Sequence, residues 1–309
     1  MRLGVLDVGS NTVHLVVVDA RPGARPAPET SYKSVLRLMR YLEPDGSISP
    51  EGVRAVLQTM RRTAEMIEEA GLDDLIPLAT SALREARNGP ELLERIRQET
   101  GIELQVVSGE EEAATTFLAV RRWFGWAAGR ILLVDIGGGS LELAAGSDEL
   151  PELALSLPLG AGRSTIGFLH DDPPSEAQLA ALREHAGRLL RERAEELAAL
   201  PRPDHFVGSS KTIRSLARLA GSVADGVGPD DRVTLRRWQL DDWVPRLARL
   251  AADARPALPG ITADRAFQIV AGGVVLSEAM AVLGIEELDV SPWAMREGVL
   301  LRYLDRMPR

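Results

Sequence analysis

The sequence predicts an α/β protein built from two related halves. Strand-like apolar runs alternate with helical patterns along the chain, which is typical of this class. Two segments, LGVLDVGSN at residues 3–11 and ILLVDIGGGS at 131–140, align without a gap. Each places an aspartate and a small-residue turn after an apolar run, so the halves are expected to repeat one design. At 309 residues the chain is long enough for two domains of ordinary size.

In the first half, an apolar run, a turn of Gly, Ser and Asn, and a second apolar run predict a strand, a tight turn and a second strand. Apolar residues then recur at helical spacing up to Gly71, a residue suited to end a helix. The expected elements, in order, are strands at 3–6 and 13–18, a Pro-rich connection at 21–30, a helix at 50–70, a strand at 75–79, a helix at 90–100 and a strand at 102–107.

The second half repeats the strand, turn and strand pattern and then becomes helical. A boundary is expected near residues 120–130, where a helix that begins at Glu110 gives way to a Gly-rich segment. Proline and glycine cluster at 151–174 and 221–230, which predicts loops there. The expected elements are strands at 131–135 and 141–145, a charged helix at 176–200, a strand near 206–207, a helix at 213–219, a strand-like segment at 288–293 and a helix at 296–306.

Composition narrows the functional classes. A formal net charge of −9 argues against a general nucleic-acid-binding protein, which needs a basic face. The absence of cysteine excludes disulfides, thiolate nucleophiles and cysteine-ligated metals. No apolar run approaches the roughly 18 residues that span a bilayer. We therefore expect a cytoplasmic protein that is independent of membranes and nucleic acids.

Three turns have the composition of phosphate-binding loops. Adjacent glycines allow backbone N–H groups to converge on an anion, and a turn before a helix N-terminus favours anions too. Each turn alone could equally be a hairpin turn or a helix cap, but three of one type indicate several phosphates. The candidates are Ser10, Asn11 and Thr12; Gly137, Gly138, Gly139 and Ser140; and Gly208, Ser209, Ser210, Lys211 and Thr212.

Two better-known phosphate motifs do not fit this chain. A Walker loop has glycine directly before its lysine, whereas Lys211 follows Ser210. A dinucleotide fingerprint that began at Gly137 would need glycine or alanine at position 142, where this chain has Glu142.

Carboxylates accompany the turns. Asp7 and Asp135 occupy matching strand ends, and Glu142 lies on the second arm of the second hairpin. Beside a phosphate such groups repel it unless a hard cation lies between them, and Mg²⁺ is the natural choice. Alternatively, each aspartate caps its own turn.

The segment VVSGEEEAATTFL carries three successive acids at an expected helix start, Glu110, Glu111 and Glu112. They could merely complement the helix dipole, or one could take a proton from water that attacks phosphorus. Arg84 is a candidate for pairing with phosphate, and its alternative is a surface salt bridge with Glu85 or Glu91.

Other catalytic arrangements are weakly supported. The four histidines, His14, His170, His185 and His205, show no metal-ligand spacing and are expected to be structural or exposed. No G-x-S-x-G segment is present for a serine nucleophile, so direct attack by water is the simpler mechanism.

With these residues identified, the sequence resembles the exopolyphosphatase and guanosine pentaphosphate phosphohydrolase family, Ppx/GppA. The resemblance runs along essentially the whole chain. It rests on LDVGSNTVHL, ATSALREARN, VVSGEEEA, LLVDIGGGSLEL, LPLGAGR, GSSKTIRSLARL and SPWAMREGVLL, in that order.

The resemblance implies two ribonuclease H-like domains of the actin, sugar kinase and Hsp70-type ATPase superfamily, with a cleft between them. The expected domains are residues 1–120, with a C-terminal helix at 294–309 packed back on them, and residues 121–293. It also implies a homodimer.

The resemblance further implies site roles. Glu112 would activate water, with Glu111 as the second choice, and Arg84 would assist. Asp7, Asp135 and Glu142 would hold Mg²⁺, and the three turns would grip phosphates. Lys211 departs from the glycine that is common in the third turn, and its role is open. Longer family members carry additional C-terminal domains, which help to form the channel for long polymers. Because this sequence resembles the two-domain core, shorter polyphosphate is the expected substrate.

Three alternatives remain open. The first keeps the chemistry but hydrolyses guanosine pentaphosphate. The second is a kinase, because Ala271, Gly272 and Gly273 resemble a small-residue turn that lets adenosine approach the backbone. The third is a non-catalytic sensor of polyphosphate or guanosine alarmones.

Overall fold

The computed structural model describes residues 1–23, 28–222 and 233–307 of the chain. Its residues divide into two compact units. Unit 1 consists of Met1–Glu112 and Met295–Arg309, and unit 2 consists of Ala113–Ala294.

Strands and helices alternate along much of the chain, as the sequence predicts. The strands are β1 (Arg2–Val8), β2 (Thr12–Asp19), β3 (Thr30–Val35), β4 (Asp74–Ala79), β5 (Gln105–Val106), β6 (Ile131–Ile136), β7 (Leu141–Gly146), β8 (Leu153–Leu157), β9 (His205–Ser209), β10 (Thr234–Arg236) and β11 (Glu287–Val290). The helices are α1 (Pro50–Ala70), α2 (Ser81–Glu85), α3 (Gly89–Thr100), α4 (Gly109–Phe124), α5 (Ala161–Phe168), α6 (Glu176–Ala198), α7 (Ser210–Leu219), α8 (Arg237–Ala248), α9 (Ile269–Val282) and α10 (Met295–Arg306).

The two sheets share one topology. In unit 1 the strand order is β3-β2-β1-β4-β5, with an antiparallel β1–β2–β3 meander and parallel β4 and β5. In unit 2 the order is β10-β11-β9-β6-β7-β8, in which β6, β7 and β8 form the meander and β9 and β11 are the parallel strands. The antiparallel β10 is added at the edge of the second sheet. This repetition confirms the two related halves.

Helix α10 belongs to unit 1 although it ends the chain. Its Leu300 packs against Leu3 and Val5 of β1 and Val16 and Val18 of β2. These residues alternate along their strands, so one face of the first hairpin is covered by α10. The first residues of α10 are thereby held beside the hairpin's turn.

Unit 2 is built around α9, which is buried on nearly every side and packs against α5, α6, α7 and α8. Gly272 and Gly273 lie inside this helix. A Cβ at Gly272 would lie 2.5 Å from the Thr212 side chain, and one at Gly273 would lie 2.8 Å from Val244. The glycines therefore serve close helix packing, and the sequence-based suggestion of an adenosine-binding turn at Ala271–Gly273 is wrong.

The loop prediction for residues 151–174 is also wrong, because β8 and α5 lie within it. Its prolines and Gly160 lie outside these two elements, whereas Gly162 and Gly167 lie within α5. The strand expected at 102–107 is limited to β5. Parts of the connections predicted at 21–30 and 221–230 lie outside the described residues. Within the part of the chain that the structure describes, no helix is long and apolar enough to cross a membrane.

Candidate functional site

The candidate residues follow the carboxyl ends of parallel strands, the edge at which α/β sheets usually bind ligands. In unit 1, β1 carries Asp7 and β4 leads through Thr80 into α2 and Arg84. In unit 2, β6 carries Asp135 and β9 ends at Ser209.

The turn of the first hairpin is held by its own backbone. The Gly9 N–H donates to the Thr12 carbonyl at 3.0 Å, while the Ser10 and Asn11 carbonyls accept from the backbone of residues 36–38. Ser10 and Asn11 are buried. Within the described residues, the buried Asn11 Nδ2 has no hydrogen-bond partner. Buried amides are normally paired, so this donor suits a phosphate oxygen.

Arg84 and Glu112 lie together in unit 1. An Arg84 Nη1 atom lies 3.4 Å from Glu112 Oε2 and donates to the Val107 carbonyl at 2.7 Å, while Nη2 reaches Glu85 at 3.3 Å. The side chains of Arg84 and Glu112 are only 18% and 17% exposed. The arginine therefore orients the Glu112 carboxylate in a partly desolvated position, and it also makes the Glu85 ion pair.

Glu111 has a different local role. Its carboxylate accepts from the Ser108 N–H at 2.9 Å, and the Ser108 hydroxyl accepts from the Glu111 N–H at 3.1 Å. This reciprocal pair is a capping box at the start of α4. The Ser108 hydrogen bonds, with a smaller contribution from Arg302, lower the pKa of Glu111. Glu110 and Glu111 are exposed, whereas Glu112 is partly buried.

In unit 2 the acids form one row across the sheet. Asp135 is directly opposite Glu142 in the β6–β7 pair, and the neighbouring positions are Ser209 on β9 and Ser156 on β8. Glu142 is 2% exposed and accepts from the Ser156 hydroxyl at 2.9 Å. Burial raises the pKa of Asp135 to about 6, although Ser209 and two nearby arginines oppose this shift.

The acidic pair fits a divalent cation. Two opposed carboxylates lie closely side by side, and their oxygens are the ligands that Mg²⁺ prefers. Burial raises the pKa of Asp135, so a bound cation would favour its ionised form. Within the described residues, no group of three or more His, Asp or Glu side chains is arranged as a complete metal site.

The glycine turn, Gly137–Ser140, is clamped by α5. The Gly137 and Gly138 carbonyls accept from the N–H groups of Ala161 and Arg163 at 3.0 and 2.9 Å. The Gly139 carbonyl accepts from Arg163 Nε at 2.7 Å. Since a trans peptide holds its N–H opposite its C=O, the amides of residues 138–140 face away from these donors. Three successive amides turned in this way are suited to hold an anion.

The third turn joins β9 to α7. Ser209 is fully buried, and its hydroxyl donates to the Trp293 carbonyl at 3.1 Å. Ser210 has a positive φ of 92°, and its hydroxyl accepts from the Ile213 N–H at 3.2 Å. The buried Thr212 Oγ1 has no hydrogen-bond partner among the described residues. Lys211 lies in the first turn of α7 and is partly buried.

Several side chains beside these sites were not singled out by the sequence patterns. Arg163 holds the glycine turn, and Arg214 and Arg265 act electrostatically on Asp135. His14 lies opposite Asp7 on β2. The gapless match of the two hairpins could have revealed His14, because it aligns with Glu142. The arginines come from other elements, so local sequence carried no such signal.

Comparison with known proteins agrees with these features. The model of the Ppx/GppA phosphatase family matches residues 16–307. The chain is 49% identical to Exopolyphosphatase 1 of Mycobacterium tuberculosis over 305 residues. The aligned region covers 99% of this chain and 89% of that protein. It is 29% identical to guanosine-5'-triphosphate,3'-diphosphate pyrophosphatase of Aeromonas hydrophila, over 97% of this chain and 58% of that protein.

Solved structures share the fold. An exopolyphosphatase from Cytophaga hutchinsonii superposes with a TM-score of 0.87 at 25% identity, covering 100% of this chain and 99% of that one. The Aquifex aeolicus Ppx/GppA family member gives a TM-score of 0.78 at 24% identity, covering 100% and 99%. These likenesses confirm two ribonuclease H-like domains of the actin-like class.

Proposed function

Because this chain belongs to the Ppx/GppA phosphatase family, we propose that it is a Mg²⁺-dependent exopolyphosphatase that releases terminal orthophosphate from inorganic polyphosphate. The observation that carries this proposal is the Arg84–Glu112 contact in unit 1. The Glu112 carboxylate lies in the first turn of α4, is partly desolvated and is oriented by Arg84. Such a carboxylate is suited to take a proton from water. Each unit also carries a phosphate-type turn that would supply anion contacts.

Glu112 is the general base. The alternative, Glu111, is engaged with both backbone and side chain of Ser108, so its carboxylate is occupied by helix capping. Proton transfer requires a carboxylate within reach of water, and its geometry matters before its pKa. The Glu112 side chain is 17% exposed and contacts Arg84, so it lies in a partly buried position beside a cation.

Asp135 and Glu142 would hold Mg²⁺ on unit 2. Asp7, at the matching strand end of unit 1, is also a proposed metal ligand. When bound there, a divalent cation would neutralise negative charge on the phosphate oxygens. The Asp7 carboxylate is a proposed ligand because it matches Asp135 in the repeated hairpin.

Phosphate oxygens are held by amides and hydroxyls of the three turns. The unpaired donor of Asn11 and the hydroxyl of Thr212 would gain partners on binding. The amides of Gly138, Gly139 and Ser140 would act as an oxyanion-type grip, and Ser10, Thr12, Ser209 and Ser210 would add hydroxyl contacts. Arg84 and Lys211 would contribute positive charge.

The test is release of orthophosphate in the presence of Mg²⁺. Wild-type protein should hydrolyse tripolyphosphate or longer polyphosphate, and Glu112→Gln should abolish turnover while leaving binding largely intact. Glu110→Gln is the matched control, since Glu110 is exposed on the same helical turn. Turnover by Glu112→Gln at the parent rate would contradict the assignment of the base.

The second candidate substrate is guanosine pentaphosphate, favoured by the similarity to the Aeromonas pyrophosphatase. Side-by-side assays with tripolyphosphate, long polyphosphate and guanosine pentaphosphate distinguish the two. A higher kcat/KM for the nucleotide than for both polyphosphates would replace the main proposal. Binding of these anions without any phosphate release would favour a sensor.

A homodimer is also part of the proposal. Large aromatic side chains are exposed on unit 2, with Trp123 47% and Trp126 68% accessible. Light scattering during size-exclusion chromatography would report the mass in solution, and a monomer at micromolar concentration would contradict the dimer. A cytoplasmic location stays a prediction, for which the cysteine-free sequence is the support.

A further inference from the structure

The two hairpins differ at one matched position. In unit 2, Asp135 is directly opposite Glu142, whereas in unit 1 the residue directly opposite Asp7 is His14. The gapless sequence match assigns His14 and Glu142 to the same place in the repeat. The first hairpin therefore presents an imidazole where the second presents a carboxylate.

His14 lies on the face that α10 covers. Leu300 of α10 packs on Val16 and Val18 of β2, and His14 points to the same side because strand side chains alternate. The first turn of α10 then brings Arg296 over His14. The Nη1 atom of Arg296 contacts His14 Nδ1 within hydrogen-bond distance and lies 3.3 Å from Nε2.

Arg296 and Arg84 differ in the side chains that contact their guanidinium groups. Arg84 has Glu112 and Glu85 as ion-pair partners. Among the residues that the structure describes, Arg296 has no carboxylate within 4.0 Å, and its guanidinium contacts the His14 ring. A guanidinium has five N–H donors, so most of its donors are left for another acceptor.

The position of this cation indicates its ligand. The chain has a net charge of −9, yet Arg296 has no carboxylate within ion-pair distance among the described residues. Arg296 contacts His14, and His14 is paired with Asp7 at the end of β1. Thr12 of the phosphate-type turn lies on the same face of β2 as His14, two residues away. A planar guanidinium is well suited to pair with phosphate oxygens.

We propose that Arg296, oriented by His14, is a further phosphate-binding residue of unit 1. Its free donors pair with a phosphate oxygen of the substrate held at the Ser10–Thr12 turn, and His14 is a positioning residue that accepts one arginine N–H. This inference rests on the proposed function. At this matched position the repeated hairpin thus carries a residue that orients an anion-binding arginine in unit 1 and a proposed cation ligand in unit 2.

The first experiment measures KM and kcat for tripolyphosphate in Mg²⁺ with Arg296→Met. Loss of a charge-assisted contact should raise KM by about tenfold to a hundredfold, with a smaller effect on kcat. Arg296→Lys should lie between Met and wild type, because lysine keeps the charge but not the planar fork. Arg306→Met is the matched control, since Arg306 is exposed on the same helix.

A second experiment separates positioning from folding. His14→Leu removes the acceptor and should raise KM in the wild-type background, yet add little in the Arg296→Met background. A purely structural role for His14 would give the same increase in both backgrounds. The pair therefore forms a double-mutant cycle that reports the coupling directly.

Calorimetry keeps this inference distinct from the proposed function. Tripolyphosphate with Mg²⁺ is titrated into Glu112→Gln with and without Arg296→Met. If wild-type protein releases no orthophosphate, the proposed hydrolysis fails, but weaker binding on loss of Arg296 would still support the contact. Equal affinity, or an unchanged KM, would overturn it. Should Arg296→Met fail to fold, the same comparison with Arg296→Lys decides, and unchanged binding again overturns the proposal.

Discussion

Asp135 lies directly opposite Glu142 across the antiparallel pair of β6 and β7. Such positions bring side chains within about 5.5 Å at Cβ, where two like charges repel. Burial raises the pKa of Asp135 to about 6. The protein alone therefore disfavours the ionised form that a cation requires, and several consequences can be measured.

Magnesium dependence should change with pH. Mg²⁺ binds the ionised carboxylate, and Asp135 is mostly protonated below its folded pKa of about 6. Each further unit of acidity should therefore raise the Mg²⁺ concentration for half-maximal activity by about tenfold. Above about pH 7 the requirement should level off. Titrations of Mg²⁺ at a series of pH values would check this, and an equal requirement at pH 5 and pH 7 would contradict the assignment.

Asp135→Asn should stabilise the metal-free protein while abolishing activity. The folded pKa of about 6 exceeds the usual value of 3.8, so the native state binds the extra proton between these pH values. Stability from Asp135 thus falls as pH rises through about 6. Asparagine does not ionise and should increase the free energy of unfolding at pH 7.5 by about 1 to 3 kcal/mol.

Thermal unfolding in EDTA measures this effect. The variant should gain several degrees in Tm at pH 7.5 and little at pH 4. Addition of Mg²⁺ should raise the Tm of wild type and not that of the variant. A variant less stable than wild type at pH 7.5 in EDTA would show that the carboxylate is well compensated within the fold.

Glu111 and Glu112 should separate in their effects. Glu111→Ala removes half of the capping box with Ser108 and should cost about 1 kcal/mol in the free energy of unfolding, with turnover largely retained. Glu111→Gln keeps a capping side chain and serves as its control, with near-parental stability. Urea denaturation and phosphate release test both. Loss of turnover in the folded Glu111→Gln variant would make Glu111 the base.

Gly160 should be intolerant of a side chain. A Cβ there would lie 2.3 Å from the carbonyl carbon of Gly139 and from the Ser140 nitrogen, so the glycine turn would have to move. Gly160→Ala should therefore destabilise unit 2 by about 1 to 3 kcal/mol and weaken tripolyphosphate binding. Gly167→Ala is the matched control, because nothing lies within 4 Å of its Cβ and the site is helical.

These two variants are compared by thermal unfolding and calorimetry. Gly167→Ala should be neutral or stabilise by up to about 1 kcal/mol, since alanine favours a helix. Equal binding and stability for Gly160→Ala and Gly167→Ala would show that the approach of Gly160 to the turn has no role.

The sequence patterns predicted the two related halves because each hairpin is specified by residues that are close together in the chain. An apolar run followed by Asp7 or Asp135 and a small-residue turn specifies a hairpin, and both hairpins are present. Periodicity likewise predicted α1 to its end at Ala70. These features depend on neighbouring residues in the chain, which the sequence displays directly.

Features that depend on distant residues could not be predicted. The contact of Arg296 with His14 joins positions 282 apart in sequence. The clamp of Arg163 on Gly139 depends on α5, which Pro and Gly content had suggested was a loop. The residue pattern identifies three acids in a first turn, and the family resemblance ranks Glu112 above Glu111. The capping box of Glu111 with Ser108 depends on local geometry that the pattern alone does not establish.

Substitutions of Ser210 should change the stability of the protein and its KM for tripolyphosphate independently. Its φ of 92° is strained for a residue with a Cβ, yet its hydroxyl caps α7 through the Ile213 N–H. Ser210→Ala should keep the strain and lose the cap, at a cost of about 1 kcal/mol. Ser210→Gly should relieve the strain while losing the cap, and should be close to wild type in stability or above it. Both variants lack the hydroxyl, so if Ser210 contacts phosphate both should raise KM for tripolyphosphate to a similar extent. An unchanged KM in the glycine variant, alongside its retained stability, would restrict Ser210 to capping.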